Sequence, residues 1–310
     1  MRRPNFVLLG QGKAGTSLIW RVLRRHPDIA FPKKKELHFF GRKSDKPLPW
    51  YDAQFEGLPQ QSQYIGEISP SYLDPIAIRR IHATLGPDVR FAFVLRRPIE
   101  QAFSRYMQNI CARPEPYGFD RFERVLPTFL KRIANAIEIV FDLYGTDAVL
   151  PLFYEKDVAR PDPCFEAKIL THLDLPVTNH TAEFLTRPRV NSGVLPRYLF
   201  DAEKDQIINL GGSTYHIPAG HLVFCAQARN ARINSAPTAE DLNAARTNTA
   251  AWTTELTEAD YARLQNKVVL PVATNLEDRF GFDLSHWRVA PRALRYDAAP
   301  PPGALKVAPR

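Results

Sequence analysis

The chain has 310 residues, of which 41 are Lys or Arg and 33 Asp or Glu, for a formal charge of +8 at neutral pH. Hydrophobic residues make up 45% and charged residues 24%, ordinary globular values that exclude a disordered, collagenous or membrane-embedded chain. No apolar run approaches the ~18 residues of a membrane-spanning helix. The three cysteines, Cys111, Cys164 and Cys225, are odd in number and widely spaced, which points to reduced thiols rather than a disulfide framework or a zinc site.

In chain order, strand-like and helix-like runs alternate, the pattern of a doubly wound parallel sheet. Asn5 to Gly10 reads as a first strand, and it starts so near Met1 that a signal peptide has no room. After a loop from Gly10 to Gly15, Leu18, Ile19, Val22 and Leu23 recur at helical spacing until His26-Pro27. Tyr64 to Ile68 suits a strand and Asp74 to Leu85 a helix. Val89 to Leu95 suits a buried strand, followed by a helix from Pro98 through Met107, with Pro at a first helical position where its missing N–H is not needed. Arg121 to Tyr144 has the pattern of a long amphipathic helix, Val149 to Tyr154 of a strand and Asp162 to Leu173 of a helix. Residues 186–250 break the pattern around a strand-like Leu222-Val223-Phe224 and read as an insertion on the acceptor side. Helical pattern returns from Thr257 to Phe280, interrupted at Pro271. The expectation is one α/β domain over residues 1–287, P-loop-like, with a central parallel sheet flanked by helices, and a loosely ordered tail over 288–310.

The positive charge is scattered. Its longest run, Lys33-Lys34-Lys35, is short, and no heptads, zinc spacing or aromatic RNA-binding signature accompany it, which argues against a nucleic-acid partner. A local account is therefore needed. Gly10-Gln11-Gly12-Lys13-Ala14-Gly15-Thr16-Ser17, between a strand and a helix, has the chemistry of an anion cradle. Small residues let backbone N–H groups approach phosphate oxygens, the helix N-terminus adds the positive end of its dipole, Lys13 supplies a cation, and Thr16 and Ser17 supply hydroxyls. A plain strand-to-helix turn capped by Thr16 is the bland alternative. The loop is not a Walker A sequence, because Lys13 precedes Ala14-Gly15 rather than the hydroxyl residue.

With these residues on view, Phe6 to Phe40 resembles the opening of sulfotransferases that use 3′-phosphoadenosine 5′-phosphosulfate (PAPS). Lys13-Ala14-Gly15-Thr16 is similar to their 5′-phosphosulfate loop. His26-Pro27, Lys35-Glu36-Leu37-His38-Phe39-Phe40, Gly66-Glu67-Ile68-Ser69-Pro70-Ser71-Tyr72-Leu73, Leu95-Arg96-Arg97-Pro98, Ser104-Arg105-Tyr106, Tyr154-Glu155 and Leu284-Ser285-His286-Trp287 fall in the order of the carbohydrate, heparan-sulfate-like branch. The resemblance is strong over residues 5–175 and thin over 190–250.

The resemblance implies that Gly12, Lys13, Ala14, Gly15, Thr16 and Ser17 hold the phosphosulfate end of PAPS, and that Arg96 and Ser104 hold its 3′-phosphate. Arg229 and Arg232 are the candidates for a basic late loop that closes over the same phosphate. A guanidinium fork and a hydroxyl suit a terminal phosphate. Glu36 is implied as general base, with Lys13 steadying the leaving phosphate. If Lys35 to Phe40 is extended, Glu36 and His38 project to one side and share the acceptor hydroxyl. The packed alternative has Glu36 paired with its lysine neighbours. Glu67 and Tyr72 could also face the site. One position departs from the branch: Ile68 stands where it usually has Lys, which argues against a heparan-like acceptor and a second catalytic lysine there.

The resulting expectation is a cytoplasmic, bacterial-type sulfotransferase that moves a sulfuryl group from PAPS to a hydroxyl of a saccharide or small glycosylated metabolite, with adenosine 3′,5′-bisphosphate as product and no metal. The remaining surplus cations suit an anionic acceptor. A kinase-like P-loop phosphotransferase and a non-catalytic nucleotide-binding module remain the alternatives; the first would need a Walker lysine, and in the second Glu36 would be dispensable.

Overall fold

Phe6–Leu8 forms strand β1, the centre of a five-stranded sheet, and every residue of it is buried. The chain rises through the loop to helix α1 (Thr16–Leu23), returns along the two-residue strand β2 (Ile29–Ala30), passes a short helix α2 (Leu48–Ala53), and enters β3 (Tyr64–Ile68). Helix α3 (Pro75–Leu85) leads to β4 (Arg90–Leu95), and helices α4 (Pro98–Ala112) and α5 (Phe119–Tyr144) lead to β5 (Val149–Phe153). Helices α6 (Phe165–His172) and α7 (Ala182–Leu185) come next. The sheet order is β2-β3-β1-β4-β5, and every pairing is parallel. The computed structural model describes residues 2–41, 45–112, 119–159, 162–185, 198–200, 205–210, 213–217, 219, 222–225, 231–234 and 253–297.

The core reflects the apolar periodicity. On α1, Ile19, Val22 and Leu23 are buried and join Phe165, Ile169 and Leu170 of α6 and Phe6 and Leu8 of β1 in one cluster. Each such fully buried side chain contributes about 1.5–3 kcal/mol. Asp74 starts α3 by accepting the Ile76 N–H at 3.0 Å, with Pro75 as the first helical residue. On β3, Gly66 is needed for packing: a Cβ there would lie 2.3 Å from the Phe31 ring.

Most of the expected elements are present with bounds shifted by a residue or two, though α6 starts three residues late and α4 runs five residues past Met107. Two are new. β2 is only two residues long, too short to show alternation, and α2 begins at Leu48-Pro49, where the prolines disguise a first turn. The chain after β5 does not remain a strand through Tyr154 but enters a wide turn, in which the Ala159 N–H reaches the Tyr154 carbonyl at 2.7 Å. The helical run from Glu258 to Phe280 widens into a π-type turn at Gln265–Val269, just before Pro271, as the interrupted pattern suggested.

The chain divides into two compact units, where the sequence predicts one domain. The first comprises residues 1–101, 126–190 and 268–289 and contains the five-stranded sheet. The second comprises residues 102–125, 191–267 and 290–310. Most of the stretch read as an insertion belongs to it. There β6 (Tyr198–Phe200), β9 (Leu222–Cys225) and β10 (Ala231–Asn234) form an antiparallel sheet, and β7 (Gln206–Leu210) and β8 (Ser213–Ile217) a hairpin. β11 (Thr253–Leu256) pairs with β12 (Leu294–Asp297), so the segment expected to be a loose tail includes a strand. Two helices, α8 (Glu258–Leu264) and α9 (Leu270–Phe280), lie between those strands in sequence. Among the described residues, no helix is long and apolar enough to cross a membrane.

Candidate functional site

Because β1 to β5 are parallel, their carboxyl ends share one edge of the sheet. The segments just beyond those ends carry almost every residue singled out from the sequence: Leu9–Gly15 after β1, Phe31–Gly41 after β2, Ser69–Leu73 after β3, Arg96-Arg97 after β4 and Tyr154-Glu155 after β5. The chain winds to one side of β1 for β2 and β3 and to the other for β4 and β5. Ligands of open α/β sheets bind in the crevice where the winding reverses.

The β1–α1 loop is shaped by contacts that leave no room for side chains. Gly10 has φ +94°, and a Cβ on it would fall 2.3 Å from Pro70 Cα. Gly15, at φ +82°, occupies the N-cap position of α1 without any side-chain cap, and a Cβ there would lie 2.8 Å from Val158 Cγ1. Thr16 is therefore not the cap and is itself buried. The N–H groups of Thr16 and Ser17 have no carbonyl one turn earlier to bond. Lys13 also adopts a positive φ, 69°.

Two donors hold the loop's carbonyls. Gln101 Nε2 donates to the Gly12 carbonyl at 2.9 Å, and Arg96 Nη1 donates to the Lys13 carbonyl at 2.6 Å. A trans peptide points its N–H opposite its C=O, so these bonds turn the N–H groups of Lys13 and Ala14 away from Gln101 and Arg96. The Arg96 main-chain N–H donates to Gln11 Oε1 at 3.2 Å, and its guanidinium lies 4.7 Å from the centre of the Tyr154 ring. Arg96 Nε is buried without a hydrogen-bond partner among the described residues. Ser104 is on the second turn of α4, half-buried, and belongs to the second unit. Arg232 is in β10 but its side chain, like the whole of Arg229, lies outside the described residues.

The Lys35–Phe40 segment is not extended, which corrects the alternation argument. Glu36 and His38 have φ 65° and 56°, left-handed conformations that cost a non-glycine residue about 1–2 kcal/mol each. The segment is bent because its N–H groups are claimed by the end of β3 and by the turn beyond it. Glu36 N–H donates to the Ile68 carbonyl at 3.2 Å, His38 N–H to Ser69 Oγ at 3.2 Å and Phe40 N–H to the Tyr72 hydroxyl at 3.3 Å. The two side chains still meet, with Glu36 Oε2 3.6 Å from His38 Nε2. Lys35 Nζ pairs with the other Glu36 oxygen, and His38 Nδ1 lies 2.8 Å from Ser71 Oγ. Burial pushes the Glu36 carboxyl up, but hydrogen bonds from His38 and Lys35 outweigh it and bring the pKa down to about 2. Glu36 is thus ionised at neutral pH. Four non-glycine residues among those described have positive φ, and three of them are Lys13, Glu36 and His38. Such strain concentrates at functional sites.

Glu67 and Tyr72 do not face this site. Glu67 is 1% exposed and takes hydrogen bonds from Tyr51, Tyr72 and Ser69, and Tyr72 is fully buried. Ile68 packs in the core cluster with Leu8 and Val94. The cation nearest Glu36 in sequence, Lys35, pairs with it instead of a lysine at 68. Gln11, Gln101 and Ser71 went unassigned in the sequence, and the Lys35–Glu36 pair is the one that the packed alternative expected. The signal for Gln11 was position alone, between two loop glycines. Elsewhere, an open depression of about 760 Å³ is lined by Lys156, Lys168, Asp157 and Asp283 among others. Its lysines pair with its aspartates, so it has no surplus positive charge.

Comparison with known proteins identifies the family. Residues 4–179 match the model of the Sulfotransferase family. The membrane-associated sulfotransferase kil1 of Dictyostelium discoideum is 33% identical over 110 residues, 34% of this chain and 23% of that protein. Heparan sulfate glucosamine 3-O-sulfotransferase 6 of Mus musculus is 36% identical over 117 residues, 36% of this chain and 32% of the enzyme. The matched stretch thus spans a quarter to a third of these curated relatives. A solved sulfotransferase from Alicyclobacillus acidocaldarius is 26% identical, covering 58% of this chain and 85% of that one with a TM-score of 0.49. One family model takes in more than half of the chain, including the loop after β1, the Glu36–His38 pair and Arg96; the chain belongs to the Sulfotransferase family.

Proposed function

We propose that the protein transfers a sulfuryl group from PAPS to a hydroxyl of a carbohydrate or glycosylated metabolite. The observation that carries this reading is the pairing of an ionised carboxylate, Glu36, with an imidazole, His38, at 3.6 Å on the sheet edge that also holds the anion cradle. Gly12 to Ser17 take the phosphosulfate end of the donor through backbone N–H groups and the α1 dipole. Arg96 and Ser104 take the 3′-phosphate, and the buried, unpartnered Arg96 Nε suits a further anionic oxygen. Arg229 and Arg232 are assigned to the same phosphate.

In the transfer, the acceptor oxygen attacks sulfur while its proton passes to Glu36, with His38 sharing the hydroxyl. The bond between sulfur and the bridging oxygen breaks, and its electron pair stays on the 5′-phosphate of adenosine 3′,5′-bisphosphate. Lys13 and the loop N–H groups steady that growing charge, which counts most in the transition state. No metal is assigned a part. The exposed Lys33 and Lys34 beside the Glu36 loop suit an acceptor that carries negative charge. Ile68 leaves no second lysine at that point, which favours an acceptor unlike heparan. Cys164, a thiol 3.4 Å from Asp157 Oδ1, and the odd count of cysteines suit a reducing compartment, and the cytoplasm is the location proposed.

The test is a panel of saccharides and glycosylated metabolites incubated with PAPS and read by mass gain of one sulfuryl group, alongside calorimetric titration with adenosine 3′,5′-bisphosphate and with ATP. Bisphosphate binding with sulfation of a sugar hydroxyl is expected. ATP bound and the bisphosphate ignored would overturn the reading.

A further inference from the structure

Among the buried ionisable groups to which the proposed reaction gives no part, Glu67 is bonded through Ser69 to the base-bearing segment. Glu67, near the end of β3, is 1% exposed. Its Oε2 accepts the Tyr51 hydroxyl at 2.6 Å, and its Oε1 accepts the Tyr72 hydroxyl at 2.6 Å and the Ser69 hydroxyl at 3.1 Å. Two of these three donors pass the connection onward. Ser69 Oγ accepts the His38 N–H at 3.2 Å, and the Tyr72 oxygen accepts the Phe40 N–H at 3.3 Å. Both of these hydroxyls therefore donate inward to Glu67 and accept outward from the main chain of the base-bearing segment. Only an acceptor at the centre lets all the hydrogens run one way.

The segment at the far end needs such support. His38 and Glu36 both hold left-handed conformations that their side chains disfavour, and neither is in a helix or strand. Strained residues of this kind persist only where the surroundings over-determine them. The third inward donor, Tyr51, stacks on Phe39 with ring centres 4.4 Å apart, and Phe40 packs edge-on against both Tyr51 and Tyr72. The carboxylate thus reaches the segment at His38, Phe39 and Phe40 through three different hydroxyl-bearing residues.

We propose that Glu67 is the positioning residue of the base segment, holding Glu36 and His38 in their strained, reactive placement through Ser69, Tyr72 and Tyr51. This inference rests on the reading of Glu36 and His38 as the acceptor-activating pair. Burial pushes the Glu67 carboxyl above its ordinary range against the pull of its three hydrogen bonds.

The test uses the full chain with Glu67→Gln, Glu67→Ala and Tyr72→Phe, the last removing a single hydroxyl so that a folded variant is at hand. Adenosine 3′,5′-bisphosphate binding by calorimetry is expected to stay within about twofold of wild type. Amide hydrogen exchange is expected to quicken about tenfold or more across residues 36–41 but not across 10–18, with Tyr72→Phe loosening Phe40 more than His38. With PAPS and the panel sugar that the wild type sulfates fastest, kcat should fall in the order wild type, Gln, Ala while KM for PAPS holds. Unchanged exchange over 36–41 in the variants, or loosening spread equally to 10–18 with loss of bisphosphate binding, would overturn the proposal. A wild type that ignores the bisphosphate would instead sink the functional reading, and the exchange result would still report on Glu67.

Discussion

Arg96 donates from Nη1 to the carbonyl of Lys13 at 2.6 Å while its guanidinium lies 4.7 Å from the centre of the Tyr154 ring. The end of β4, the loop after β1 and the turn after β5 are thereby joined through one planar cation. A lysine could not reproduce this, because an ammonium lacks the fork that bonds in one direction and stacks in another. Arg96→Lys should weaken adenosine 3′,5′-bisphosphate by about tenfold to a hundredfold, or roughly 1.4–2.8 kcal/mol, with little change in melting temperature. Calorimetric titration checks this, and an unchanged affinity would remove Arg96 from the donor site.

Glycine substitutions separate close approach from backbone strain. Gly10→Ala places a methyl 2.3 Å from Pro70 Cα, which is main chain and has nowhere to go, whereas Gly57, at φ +71°, has nothing within 4 Å of a new Cβ. Gly57→Ala should cost only the left-handed strain, about 1–2 kcal/mol. Gly10→Ala should add about 1–3 kcal/mol of overpacking and also disturb donor binding. Urea denaturation of the two variants, compared with wild type, gives the difference directly.

For Glu36 the pH dependence has a definite sign. Its pKa falls from 4.5 to about 2 on folding, so its share of stability is fully present above about 4.5 and is lost as pH falls through about 2. Glu36→Gln removes that share, and the stability gap between wild type and variant should narrow on acidification across this window. A gap that widened would contradict the assignment of its partners. At neutral pH the same variant should bind the bisphosphate normally and lose transfer by about a hundredfold or more. An acid limb of the rate near neutrality would belong to some other group.

Asp74 caps α3 through the Ile76 N–H and also pairs with Arg132 at 3.4 Å. Asp74→Ala should lower stability by about 1–2 kcal/mol, visible as a reduced denaturation midpoint. Asp74→Asn, which keeps a capping oxygen, should recover most of it. If the two variants were equally destabilised, the ion pair rather than the cap would be the source.

The features legible in the sequence are the local ones. The apolar run Phe91 to Leu95 and the helical spacing of Ile19, Val22 and Leu23 carry their own periodicity, and the anion loop carries its glycines. Glu36 and His38 were recognisable, but by the wrong geometry. An extended segment would align them by alternation, whereas they meet because hydrogen bonds to Ile68, Ser69 and Tyr72 bend the chain into positive φ. Those partners are some thirty residues away, and no window of sequence contains both sides. For the same reason Glu67 read as a residue able to line the site, when its three buried hydroxyl partners make it an interior anchor. Strand β9 was legible as Leu222-Val223-Phe224, whereas β6, β7, β8 and β10 escaped because they are short, and Gly211-Gly212 between β7 and β8 read as a break in the pattern rather than as a hairpin signal.

The central place of β1 bears on how the protein comes into being. Phe6 pairs on one side with Gly66 and on the other with Arg90, so β1 must wait for two later strands before it has neighbours in the sheet. Closing such distant contacts carries an entropic cost that is met before any reward. The carbonyl-holding donors of the anion loop, Arg96 and Gln101, come later still. The loop's carbonyls therefore gain these donors only once β4 is in place. On the proposed function, the sulfuryl donor would act as a late stabiliser of the finished sheet rather than as a template for its assembly.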